Sequence, residues 1–219
     1  MVEKYILKLK PFVEELFKDE DEGHDVGHLY RVMKIALYLC DKEGGDKVIV
    51  GISAFLHDAH RVMQNKEGKF ISPKDSLPMI KEILSNVELT DEQIDEICYC
   101  IEYHENYNWN ENNVTNINAL ILQDADNLDA LGAIGLARTF CYAGAHKLKM
   151  YDENIPLLEE TEFVEEDGVK ESRLHHIYHK LFRLGKYMNT KTAREMAVER
   201  TKIIKDFANH FLDEWNGKY

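Results

Sequence analysis

Apolar residues recur at spacings of three and four along almost every patterned stretch of the chain, and no convincing run alternates with period two, so the chain reads as all-helical. Tyr5, Leu9, Phe12, Val13, Leu16 and Phe17 outline a first helix that ends in the acidic cluster Asp19-Glu20-Asp21-Glu22. A second begins near Asp25 and carries Leu29, Val32, Met33, Ala36 and Cys40 along one face until Gly44-Gly45 stops it. Asp46 caps a third, which turns Val48, Ile52, Phe55, Leu56 and Ala59 inward before a loop from Asn65 to Ser72. Thr90-Asp91-Glu92-Gln93 supplies a capping box for a helix through Ile94, Ile97, Cys98 and Ile101 to His104. The asparagine-rich stretch from Asn106 to Asn116 lacks periodicity and predicts a surface loop.

From Ile117 to about Cys141 the chain is more continuously apolar but encloses Asp124, Asp126 and Asp129, which predicts a buried helix with unusual carboxylates. Gly144 to Lys170 is acid-rich and irregular, with the character of a long excursion or lid. Two long helices close the chain, one around Leu174, Ile177, Leu181, Leu184 and Met188, the other around Ala193, Met196, Ala197, Ile203, Phe207, Phe211 and Trp215. No internal repeat or linker divides it. The expected architecture is a single-domain helical bundle over residues 1–219, with a site-bearing core over about 24–130 and C-terminal helices over about 172–215 packed on it.

Composition narrows the function. At 219 residues and 44% hydrophobic content the chain has enough material for a substantial core. A net charge of -13, from 40 acidic and 27 basic residues, repels a nucleic-acid backbone or an anionic membrane, so neither polymeric nucleic acid nor a membrane is an expected partner. A small phosphorylated substrate stays open, because a metal and a few cations can reverse the potential inside one cleft. The start is interrupted by charges, and no apolar run reaches the roughly 18 residues of a membrane span. Cys40, Cys98, Cys100 and Cys141 form no CxxC pair and read as reduced core residues of a cytoplasmic protein.

The chemistry concentrates in Ala54-Phe55-Leu56-His57-Asp58-Ala59-His60, where two ionisable neighbours follow an apolar run at a helix end. Burying such groups without partners is costly, and a metal would satisfy both. On spacing alone a helix-terminal cap or a satisfied core pair is the stronger account of the doublet. His28 lies at the edge of the preceding helix's apolar stripe, and Asp126 adds a carboxylate from a third element. Four such ligands from three helices would match the way helical bundles build metal sites in their cores.

The ordered set His28, His57-Asp58, Asp126 resembles the H…HD…D signature of the HD-domain phosphohydrolase superfamily. His28-Leu29-Tyr30-Arg31-Val32 looks like its H-x-x-R-V helix, and Asp124-Ala125-Asp126-Asn127-Leu128-Asp129-Ala130 resembles the D-A-D-R-L-D-A segment of one bacterial subgroup. His176-Ile177-Tyr178-His179-Lys180-Leu181 and Met188-Asn189-Thr190-Lys191-Thr192-Ala193 are similar to that subgroup as well, so the likeness spans most of the chain. It implies a hydrolase of a small phosphorylated metabolite, a nucleotide foremost, with one divalent ion (Mn, Fe, Co, Ni or Zn, or Mg) on His28, His57, Asp58 and Asp126. It also selects Asp126 over Asp124, which lies two positions away on a different helix face. Asn127 stands where the subgroup usually has arginine, so the resemblance does not carry a phosphate contact over to that position.

Such a site implies in-line attack on phosphorus by a metal-activated water, with Asp58 and His104 as the catalytic candidates. His104, in Tyr103-His104-Glu105, falls where relatives place an outer histidine, for substrate contact or water positioning. His24 and Asp25 could hold a water or ligand in the outer sphere, or cap the helix. Arg61, Lys180 and His176 are candidate substrate contacts, against the plainer reading of solvated surface. Tyr103, Tyr107 and Trp109 could stack a base, but helix–loop packing is their simpler account. His60, His146, His175 and His179 have no assigned role, and the pattern supplies too few histidines for a second metal. The alternative functions are a non-catalytic metal- and nucleotide-binding regulatory module, and a helical interaction protein with structural histidines.

Overall fold

The computed structural model describes residues 2–20, 24–105, 113–157 and 172–218, and among these every regular element is helical. They group into two compact units, Met1–Asp126 and Asn127–Tyr219.

In the first unit, α1 (Glu3–Leu16), α2 (Val26–Glu43), α3 (Lys47–Leu56), α4 (Ala59–Glu67), α5 (Leu77–Leu84) and α6 (Asp91–Glu102) precede most of α7 (Ile117–Asp129). The core is α3. Every residue from Val48 to Leu56 is buried, and α1, α2 and α6 pack around the helix. Their own stripes face it: Ile6, Leu9 and Val13 of α1, Leu29, Val32, Ala36 and Leu39 of α2, Ile97, Cys100 and Ile101 of α6. Such burial of Leu or Ile side chains stabilises by about 1.5–3 kcal/mol each. Gly51 permits the close approach of α1, since a Cβ there would stand 2.7 Å from Val2 Cγ2.

The helix expected to run from Asp46 through Ala59 is broken: α3 ends at Leu56, and α4 starts at Ala59 and continues to Glu67, into residues expected to be loop. Asp46 caps α3 as expected, accepting from the Val48 and Ile49 amides. Thr90 and Gln93 complete the capping box of α6. At the other end of the site, Asn116 accepts from the Asn118 and Ala119 amides and so starts α7. Asn118 then ties α7 to two neighbours, donating to Glu96 Oε1 at 2.6 Å and accepting from the Asp46 amide at 2.8 Å. Gln123 of the same helix donates to the Tyr103 carbonyl at 2.6 Å. The expected loop at 106–116 and the aromatic residues Tyr107 and Trp109 fall mostly outside the described residues.

In the second unit, α8 (Gly132–His146) packs on α11 (Lys191–Trp215) through Phe140, Phe207 and Phe211. The single helix expected over Ile117–Cys141 is therefore two, separated at Ala130-Leu131, where Gly132 takes φ +72°. The helix around Leu174 is α9 (Arg173–His176), a π-turn from Ile177 to Leu181, then α10 (Phe182–Leu184), and it ends before Met188. Of the irregular excursion expected over 144–170, the first residues close α8, which runs to His146, and residues 158–170 are outside the described ones. Cys40, Cys98 and Cys100 are buried, whereas Cys141 is exposed rather than in the core. No described helix is long and apolar enough to cross a membrane.

The turn between α2 and α3 generates a stability prediction. Gly44 and Gly45 both have positive φ, +88° and +110°, but only at Gly45 would a Cβ meet Asn118 Oδ1, at 2.7 Å. Gly44→Ala meets backbone strain alone, worth on the order of 1–3 kcal/mol. Gly45→Ala adds the loss of the Asn118 tie and is expected to cost about 1 kcal/mol more. Urea unfolding of the two variants beside the parent checks this order.

Candidate metal centre

Three chain interruptions bring the polar residues together. Asp25 accepts from the His28 amide at 2.8 Å and caps α2, so His28 sits in the first turn and aims into the core with no exposed surface. Consecutive residues of one helix point about 100° apart. The break between α3 and α4 relaxes that limit, and His57 and Asp58 both reach the His28 ring. The tethered α7 supplies Asp126.

His28 Nε2 stands 3.3 Å from His57 Nε2, 3.1 Å from Asp58 Oδ2 and 3.4 Å from Asp126 Oδ1. His57 Nε2 is 3.5 Å from Asp58 Oδ2 and 3.7 Å from Asp126 Oδ1. Neighbouring ligands of an ion with N/O bonds of about 2.0–2.2 Å lie roughly 3–3.5 Å apart, so this donor set fits a divalent cation with little adjustment. His57 donates its Nδ1 proton to the Ala54 carbonyl at 2.9 Å, which leaves Nε2 as the metal-facing nitrogen. Among the described residues it is Asp126, not the wholly buried Asp124, that contributes an oxygen to a group of converging ligand atoms.

The remaining candidates divide. His24 makes a 2.6 Å hydrogen bond from Nδ1 to Asp58 Oδ2, and so joins the cluster. Asp25 is occupied as a cap. His104 is buried, with Nε2 3.9 Å from Asp58 Oδ1, and its Nδ1 donates to the Ile101 carbonyl at 2.6 Å. Arg61 pairs with Glu105, and Glu105 also lies 3.4 Å from His60 Nε2. His60 and Glu105 were not legible as site residues from sequence. Their signal was adjacency, His60 two residues past Asp58 and Glu105 beside His104, which alone says nothing of direction. Lys180 and His176 belong to the second unit, on the π-turn and the end of α9. Desolvation and the charges of Lys180, Arg173 and His179 lower His176 to about 3. Tyr103 lies against Tyr99, with ring centroids 4.7 Å apart and planes tilted by 38°.

Electrostatics mark the cluster as a place for positive charge. Burial disfavours a charged His57, but the Asp58 and Asp126 carboxylates outweigh it and raise its pKa to about 9. Burial likewise opposes ionisation of both carboxylates. The His57 charge with the His24 contacts holds Asp58 well below the usual range, and the hydrogen bond and charge of His57 do the same for Asp126. His104 moves the other way, lowered by burial and the His57 charge to about 4.

In the metal-free protein His57 therefore keeps its proton at pH 7. Its raised pKa contributes stability that is full below the unfolded value near 6.5 and lost as pH rises through about 9. A metal needs the neutral ring, so metal uptake at pH 7.5 is expected to release about one proton. Calorimetric titration of the chelator-stripped protein with Mn²⁺, in two buffers of different ionisation enthalpy, measures it. His57→Gln is expected to abolish the release.

A family model of the HD domain matches residues 25–131, the stretch that carries His28, His57-Asp58 and Asp126. The chain is 31% identical to YpgQ of Bacillus subtilis (strain 168) over 203 residues, which cover 91% of this chain and 88% of that protein. Its structure is similar to that of an HD-superfamily hydrolase from Bacillus thuringiensis, with a TM-score of 0.74, 30% identity and 99% of each chain covered. The structure of B. subtilis YpgQ in complex with ADP is also similar, with a TM-score of 0.73, 28% identity, and 98% of this chain and 96% of that one covered. This likeness runs through almost the whole length and meets the geometry of the His28, His57, Asp58 and Asp126 cluster at the residues that define the signature: the chain belongs to the HD-domain phosphohydrolase superfamily.

Proposed function

We propose that the chain is a metal-dependent hydrolase that releases phosphate or pyrophosphate from a small phosphorylated metabolite, a nucleotide in particular. The observation that carries the reading is the set of 3.1–3.7 Å separations that join the Asp58 and Asp126 carboxylates to the His28 and His57 rings. The nucleotide is supported by the YpgQ structure that holds ADP.

When bound there, a divalent ion would lower the pKa of a water and polarise a phosphoryl oxygen. The chain's own groups do the rest. His24, through its 2.6 Å bond, holds the Asp58 carboxylate in one orientation. His104 is neutral at physiological pH, and its Nε2 lone pair is left open by the Nδ1 bond to Ile101. A ring with a pKa of about 4 is a weak base, so it acts by accepting a hydrogen bond from the attacking water and aligning it. Arg61, in the same unit as the cluster, is a cation suited to phosphate.

The test is product release from a panel of nucleoside mono-, di- and triphosphates and non-nucleotide phosphate esters with Mn²⁺. Turnover of at least one nucleotide is expected. Asp58→Ala is expected to lose it together with the bound metal. His104→Ala is expected to keep the metal and lose on the order of 10²-fold in kcat. Tight nucleotide binding with no product from any substrate would instead establish the non-catalytic binding module.

A further inference from the structure

Against the expectation that the sequence supplies too few histidines for a second metal, we propose that His60, His104 and Glu105 form a second divalent-cation site beside the first. His60 Nδ1 donates to the His57 carbonyl at 3.2 Å and His104 Nδ1 donates to the Ile101 carbonyl at 2.6 Å. A neutral imidazole has one N–H, so both Nε2 atoms carry lone pairs. Both are buried, and neither has a hydrogen-bond partner. One ring nitrogen of His60, one of His104 and a Glu105 carboxylate oxygen lie within 4.8 Å of one another. His60 Nε2 stands 3.4 Å from Glu105 Oε1, in ion-pair range.

Two lone pairs and a carboxylate thus face one small space, and each unmet buried acceptor costs about 1–3 kcal/mol. A proton on His60 would serve His60 and Glu105 and leave His104 unmet. One cation serves all three. Two imidazole nitrogens and one carboxylate oxygen suit Zn²⁺, Co²⁺ or Mn²⁺, with positions left for water. The fixed tautomers repeat the arrangement at His57, whose Nδ1 also donates to a carbonyl three residues back.

This ligand set is separate from His28, His57, Asp58 and Asp126, although His104 Nε2 lies only 3.9 Å from Asp58 Oδ1. Arg61 pairs with Glu105 and competes with the ion, so the second site is the weaker. An ion on His104 Nε2 also occupies the lone pair assigned to aligning water. Filling the second site therefore withdraws His104 from the reaction and frees Arg61 from Glu105.

The experiment strips the full chain with a chelator, titrates it with Co²⁺ and counts bound metal after gel filtration. About two ions per chain are expected for the parent, in two separable steps. His60→Ala and, as a second variant that keeps the side-chain shape, Glu105→Gln are each expected to bind about one, and His57→Ala to lose the tighter one. A parent that binds a single ion lost in His57→Ala would overturn the second site and leave the first standing. Two ions retained in both His60→Ala and Glu105→Gln would overturn the assignment of its ligands.

Discussion

Asp58, almost wholly buried, and Asp126, about a quarter exposed, are carboxylates whose ionisation is opposed by burial and depends on the imidazoles set beside them. Desolvation works against both carboxylates. The His28 and His57 rings, and His24 from the outer edge, compensate it. The proton that His57 retains up to about pH 9 shows the result: the cluster generates a potential that holds a positive charge at its centre. A divalent ion placed there would meet the same potential with twice the charge and would bond to both rings, so proton and metal would compete for one place.

Bringing His28, His57, Asp58 and Asp126 within 3.1–3.7 Å of one another across the imidazole–carboxylate pairs requires rigid supports, and helix ends provide them. Asp25 fixes the entry of α2, the α3–α4 break turns two consecutive residues toward one target, and Asn116, Asn118 and Gln123 lash α7 to the α2–α3 turn and the end of α6. The apolar α3 is the beam against which these ends are set, since it is buried along nearly its whole length. Buried polar ties such as the Asn118 bridge are costly when broken, and this makes them suitable for fixing position.

A single local device recurs through the histidines. His57, His60 and His104 each donate Nδ1 to the carbonyl of the residue three positions earlier, at Ala54, His57 and Ile101. The bond needs only a helix end where that carbonyl is not fully engaged, and it presents Nε2 outward. Imidazole thereby becomes an oriented acceptor, whether for a metal, a water or a substrate group.

The helical class, the stripes of α1, α2 and α6, the caps at Asp46 and Thr90, and the order of the four signature residues were legible in the sequence, because each depends on spacing along one element or on short-range capping. The breaks at His57-Asp58 and Ala130-Leu131 were not, since apolar residues continue across both and periodicity has no term for where a buried chain must turn. Between Asp124 and Asp126 the sequence offered two carboxylates and a family register, and it was the rotation of α7 that brought Asp126 to His28 and His57. His60 and Glu105 acquired meaning only when α4 and the end of α6 met, forty-five residues apart in the chain. Sequence alone thus determined which residue types were present on which helices. Tertiary structure decided which lone pairs face one another, because direction and separation depend on helix ends and on contacts between elements that no local pattern encodes.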